Sequence, residues 1–245
     1  MVDASPTSQA VAPEPDAYRP LLADRARGPA VVVILLAVIV IAVLGMRYAN
    51  QHAAGRLDLT LDAFIRTHLR RDQPITGALV SLGEPPQAAI LVAAVAGAAA
   101  AARRWSGVVL TIGGTLAAVT ITELILKPLI GRLRYGHLSF PSGHTTALFS
   151  VAIATAILLT GARRPRNIGL RLVASLAAVV VAAGTSIALV ARHVHYATDT
   201  VAGCCVAAAT VLAVALTLDF VAPRLRFDPS QNGSTCVTTV VRGLM

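Results

Sequence analysis

The sequence predicts an all-α, polytopic membrane bundle of about six transmembrane helices, and three observations predict it. The 245 residues are 56% hydrophobic and only 13% charged, with a mean hydropathy of +0.70. A soluble domain usually carries about 25% charged residues, and a core of this size cannot hide so much apolar surface, so that surface must face lipid. The apolar residues gather in runs near the ~20 residues that cross a bilayer. The charged residues fall in short segments between those runs.

The elements follow in order. Residues 1–28 hold four prolines with scattered Ala, Ser and charges, a composition that reads as a disordered cytoplasmic tail. Residues 29–46 are the first span, read as a signal anchor because the apolar run is too long for a signal-peptide core and lacks a clear cleavage site. In the polar segment 47–76, Leu57, Leu61, Phe64, Ile65 and Leu69 recur at helical spacing and predict a short amphipathic helix at the interface. The second span covers about 77–101, its regular helix starting near Pro85 because Gly83-Glu84-Pro85-Pro86 interrupts the run. Spans three to six lie at about 106–126, 144–161, 172–191 and 199–218. The membrane domain is thus 29–221, followed by a mobile cytoplasmic tail over 222–245.

Net charge is +9. No Lys/Arg run is long enough for a nucleic-acid tail, so anionic headgroups and topology explain the charge, and no nucleic-acid partner is expected. Six spans put both termini on one side. With the termini cytoplasmic, the inside segments hold 12 basic residues and the outside ones 9, of which Lys127, Arg132, Arg134 and Arg192 have a separate explanation. This asymmetry fits the positive-inside rule. The three cysteines, Cys204, Cys205 and Cys236, have neither zinc-site spacing nor the even number of a disulfide framework.

Two outside segments hold the unusual polar residues, 127–144 and 192–199, with four of the six histidines. Lys127, Arg132 and Arg134 lie within eight positions, a positive field suited to a phosphate. Lys127 is the only lysine against twenty arginines, which points to a place needing a compact charge. Glu123, one turn before it, is placed to pair with it. Ser142-Gly143-His144 opens the fourth span. Ser142 is a natural N-cap, Gly143 permits close approach of a ligand, and a helix N-terminus favours anions. His195 and Asp199 are four apart, so on a helix the carboxylate would orient the imidazole and leave its other nitrogen free. No metal-ligand spacing appears among these residues.

These residues resemble the type 2 phosphatidic acid phosphatase (PAP2) family of membrane lipid phosphatases and related acid phosphatases. Lys127 and Arg134 match the family's first motif, with Tyr135 in place of its proline. Pro141-Ser142-Gly143-His144 matches the second, and His195 and Asp199 match the end of the third. The resemblance implies a phosphatase that uses no metal or other cofactor and acts on a lipid phosphate or pyrophosphate at the outer face of the membrane. Candidates are phosphatidic acid, phosphatidylglycerol phosphate and polyprenyl pyrophosphates. It implies His195 as the nucleophile that becomes phosphohistidine, Asp199 as its orienting partner and His144 as general acid and base. Lys127, Arg134, Ser142 and Gly143 would hold the phosphoryl oxygens. The third motif's Ser-Arg falls on Ala188 and Leu189, so its arginine is missing. Arg192, on the same helical face as His195 if the helix runs on, is the expected replacement; Arg132 is the alternative. The missing arginine also leaves open a non-catalytic lipid-binding homologue, and the same phosphohistidine chemistry a lipid phosphotransferase. Oligomeric state is not legible in the sequence.

Overall fold

The computed structural model describes residues 20–69, 74–161 and 167–225, with side chains described as far as 221. Among the described residues the chain forms nine α-helices: α1 Asp24–Tyr48, α2 Arg56–His68, α3 Pro74–Leu82, α4 Pro85–Ala101, α5 Trp105–Thr120, α6 Lys127–Ile130, α7 Gly143–Thr160, α8 Ile168–Ala191 and α9 Ala197–Leu225. A π-helical segment, Ile121–Leu126, joins α5 to α6, and a small hairpin pairs β1 Leu133–Arg134 with β2 His137–Leu138.

Five continuous helical stretches are long and apolar enough to cross a membrane: α1, Trp105–Ile130, α7, α8 and α9. α3 and α4, bent by 63° at Gly83-Glu84, make a sixth if taken as one span. The polytopic helical bundle is therefore as expected. α4 does begin at Pro85, where a missing N–H costs nothing. The stretch before it is not irregular, however, but the separate helix α3.

α7 is the central helix. It touches α4, α5, α8 and α9 and is apolar all round, as a fully surrounded helix must be. Ser150 and Ala154 on it are completely buried, and such small residues let neighbouring backbones come close. α1 lies outside, packed on α9, with Val32, Leu35, Leu36 and Ile39 more than half exposed to what would be lipid.

One expectation needs correction, and one helix shows a face the sequence reading left out. The N-terminal tail was expected to reach residue 28, but α1 begins at Asp24 and Leu21 and Leu22 are buried. Their N–H groups donate to the two oxygens of the buried Asp219 carboxylate, at 2.6 and 2.8 Å, so a charge in α9 recruits chain that composition alone would leave loose. Residues 1–19 and 226–245, with Cys236, and the arginines at 163, 164 and 166 lie outside the described residues. The helix with the added face is α2. The helix is where the apolar spacing put it, yet its buried residues are Asp58 and Asp62, while Leu57, Leu59 and Phe64 are at least half exposed. Its apolar face is turned outward and its acidic face points into the protein.

Candidate active site

The polar residues converge at one end of the bundle, where α7 and α9 start. Ser142 caps α7: its Oγ accepts the Thr145 N–H, and its own N–H donates to the Asp199 carbonyl at 3.0 Å. The Thr146 hydroxyl donates back to the Ser142 carbonyl at 2.9 Å. These bonds fix the start of α7 against the start of α9. The Glu123 carboxylate occupies the space that a Cβ at 143 would take, so a side chain there would displace it.

Three elements bring the charged groups in. The π-helical segment carries Glu123 and ends just before Lys127, and the Lys127 ammonium donates to Glu123 Oε2 at 2.7 Å; π-turns of this kind are common at functional sites. The hairpin carries Arg134, which is buried, with its guanidinium 4.0 Å from the centre of the Tyr196 ring and NH1 3.8 Å from Asp62 Oδ2. Its Nε and NH1 are buried without a hydrogen-bond partner among the described residues. Two orphaned cationic donors are costly unless an anion meets them.

The turn between α8 and α9 carries His195. Its Nδ1 lies 3.5 Å from Asp199 Oδ2, an electrostatic contact rather than a formed hydrogen bond. Asp199 is fully buried, with Oδ2 accepting the Tyr196 N–H at 3.1 Å and Oδ1 accepting Arg132 NH1 at 2.6 Å. The His144 ring faces His195 at 6.0 Å between centroids and 65° between planes. His144 Nε2 is 3.7 Å from a carboxylate oxygen of Glu84, at the bend between α3 and α4. Gly83 lets that bend close on the imidazole, since a Cβ there would lie 3.0 Å from His144 Cβ.

A cavity of about 830 Å³ joins these groups. Its polar end is lined by Lys127, Arg134, Gly143, His144 and His195; its other end runs between α4 and α5, past Ala88, Val92, Ile112 and Leu116. Of the residues singled out in the sequence, Asp199 and Ser142 stand directly behind the lining, under His195 and Gly143. Arg192 does not line the cavity. The spacing argument assumed one helix through 192–199, but α8 ends at Ala191, His193 takes a left-handed φ of 61°, and α9 starts at Ala197. The Arg192 guanidinium instead lies against Gly77 of α3. Arg132, the alternative, does not reach the cavity either. It is fully buried between the Tyr48 and Tyr196 rings, each centroid 4.2 Å from its guanidinium carbon, and it is paired with Asp58 and Asp199.

Sequence reasoning missed Asp58 and Asp62. Each accepts a backbone N–H from the first turn of α9: Asp58 that of Thr198 at 3.0 Å, Asp62 that of Ala197 at 3.0 Å. α2 thereby supplies α9 with the acceptors a helix start needs. The available signal was their i,i+4 spacing, a second stripe beside the apolar one. Burial pushes the Asp62 carboxyl above the usual carboxylate range, opposed by the Ala197 N–H and by Arg66 and Arg134. Burial likewise raises the Tyr196 phenol, against Arg134 and Arg132. Among the described residues, no three His, Cys, Asp or Glu side chains group as metal ligands.

The helices form a polytopic bundle of PAP2-like fold, with a cationic, histidine-bearing end. Residues 107–221 match the family model of the PAP2 superfamily, the family that the motifs resemble. The fold resembles that of the crystal structure of the first transmembrane PAP2-type phosphatidylglycerolphosphate phosphatase from Bacillus subtilis, with a TM-score of 0.56 and 20% identity over 78% of this chain and 96% of that one. No curated protein sequence matches the chain. α2 and the α3–α4 bend lie outside the matched segment.

Proposed function

We propose that the protein is an integral membrane phosphatase that hydrolyses a lipid phosphomonoester or pyrophosphate without a metal. The cavity carries this reading, because orphaned cationic donors and two histidines at one end continue into an apolar arm at the other. That shape suits an amphiphile with an anionic head. The phosphatidylglycerolphosphate phosphatase activity named for the structural relative fits the same class, and phosphatidic acid or a polyprenyl pyrophosphate would fit as well.

In the first step His195 Nε2, on the side away from Asp199, attacks phosphorus and the bond from phosphorus to the lipid oxygen breaks. His144 gives its proton to that leaving oxygen. In the second step His144 takes a proton from water as the water oxygen attacks phosphohistidine, and phosphate leaves with both histidines restored. Arg134, Lys127 and the N–H groups at the start of α7, with Ser142 fixing that start, hold the phosphoryl oxygens while charge spreads over them. Asp199 holds the His195 ring. Positive-inside asymmetry supports cytoplasmic termini and a site facing outside.

The absence of an arginine at 189, with neither Arg192 nor Arg132 in the cavity, favours one second reading: a lipid-binding homologue that does not turn over. Phosphate release from a panel of lipid phosphates, with chelator present, decides between them. The proposal expects release by the wild type, none by His195→Ala, and a trappable phosphoenzyme. A wild-type protein that binds these lipids and releases no phosphate would establish the second reading. Transfer to an added alcohol with no net release would make it a phosphotransferase.

A further inference from the structure

Asp199 is held on both sides, and the side away from His195 has no role in the reaction described above. Its Oδ1 accepts Arg132 NH1 at 2.6 Å, and Arg132 NH2 is paired with Asp58 Oδ2. Asp58 Oδ1 is fixed in turn by the Thr198 N–H at 3.0 Å and the Thr198 hydroxyl at 2.8 Å. Asp58, Arg132 and Asp199 are all completely buried. The Arg132 guanidinium is clamped flat between Tyr48 and Tyr196, so it can neither swing into the cavity nor reach water.

We propose that Asp58 and Arg132 are positioning residues of the reaction: Arg132 holds the outer oxygen of Asp199 and draws on its charge, Asp58 balances Arg132, and together they set how strongly Asp199 orients and charges His195. This rests on His195 being the nucleophile. Arg132 only donates hydrogen bonds, and with Oδ2 accepting the Tyr196 N–H the Asp199 carboxylate is held from both sides. A buried charge one residue removed from an imidazole acts with little screening. Asp58, on the interfacial helix α2, therefore tunes the nucleophile from outside the segment that matches the family.

Other charged groups also face His195. His144 of α7 lies across the cavity, with Glu84 behind it. Arg134 of the hairpin stacks on Tyr196 and faces Asp62. The Lys127–Glu123 pair closes the far wall, and His193, bonded to Arg66 of α2 at 2.9 Å, adjoins the turn. None of these is altered in the variants below, nor is the substrate's own titration, so differences between pH profiles isolate the buried pair.

The test is the pH profile of kcat/KM in wild type, Asp58→Asn and the double variant Asp58→Asn/Arg132→Met, in detergent on whichever lipid phosphate gives release. Asn keeps an acceptor for Thr198. The double variant removes both charges together, and Asp199 keeps the Tyr196 N–H and its contact with His195. Asp58→Asn leaves Asp199 alone to neutralise Arg132, so Asp199 charges His195 less and the acidic limb moves down by about half a pH unit to one unit. The double variant frees Asp199 from Arg132, and the limb moves up by a similar amount. Turnover in Asp58→Asn falls about threefold to tenfold while KM stays within about twofold. A role confined to folding lowers the active fraction without moving the limb. Unmoved limbs, or shifts of the same sign, overturn the proposal. If the double variant does not fold, the downward shift in Asp58→Asn decides alone. Wild-type protein without phosphate release would sink the phosphatase reading instead, so the two failures are distinguishable.

Discussion

Glu123 Oε2 sits 2.7 Å from Lys127 Nζ, and the other oxygen of the same carboxylate fills the space beside Gly143, at the start of α7, that a Cβ there would take. It therefore covers both the lysine and the helix N-terminus that a phosphate would use. An anionic substrate must push it aside or share its partner. Glu123→Gln should lower KM for a lipid phosphate by about twofold to fivefold, the range of a partly exposed ion pair. Competitive inhibition by inorganic phosphate should tighten by the same factor. Initial-rate kinetics at fixed detergent-to-lipid ratio check this, and a raised KM would mean that Glu123 binds the substrate.

Arg134 and Arg192 should part company. Arg134 has two buried donors without a hydrogen-bond partner among the described residues and lines the cavity. Arg134→Ala should cost roughly 2–4 kcal/mol in kcat/KM, the loss from removing one preorganised donor. Arg192 rests on α3, so Arg192→Ala should leave kcat/KM within about threefold and act on stability instead. Equal losses in both variants would return Arg192 to the phosphate site.

Accessibility from the two sides of the membrane tests orientation. On a background with the three native cysteines replaced, His137→Cys, on the exposed hairpin, should react with an impermeant thiol reagent in whole cells. Ala102→Cys, in the exposed turn between α4 and α5, should react only after the cells are opened. The reverse pattern would invert the orientation of the site and of both termini.

Asp62 gives a pH signature of folding. Its carboxyl is raised in the folded chain because burial outweighs the Ala197 N–H and the two arginines. Above the unfolded value of about 4, the folded chain binds this proton more tightly than the unfolded one. The Asp62 contribution to stability thus falls as pH rises through the interval between the two values. Asp62→Asn lacks that loss. Melting curves in detergent from about pH 4 to about pH 6 should show the difference in Tm, wild type minus variant, becoming less favourable to wild type. A difference that moves the other way would place the folded pKa of Asp62 below the unfolded one.

By itself the sequence determined the class of fold and singled out the candidate site residues. Apolar runs of bilayer length leave a chain with 13% charge no soluble alternative, and a helix starting after Pro141-Ser142 places Gly143 and His144 at its N-terminus by local rules alone. Lys127, Arg134, His144 and His195 were legible because polar residues stand out against apolar spans, where their cost demands a reason. Only the tertiary structure decided what faces what. The spacing of Leu57, Leu61 and Phe64 fixes α2 as amphipathic, but which stripe turns inward depends on two arginines more than seventy positions away. As sequence, Arg192 was the expected phosphate ligand and Arg132 the alternative. Arg132 is enclosed by Tyr48, Tyr196, Asp58 and Asp199 from three separate stretches of chain, and Arg192 falls on the wrong side of a break between α8 and α9. Long-range ion pairs and the ending of a helix depend on partners that local periodicity does not contain.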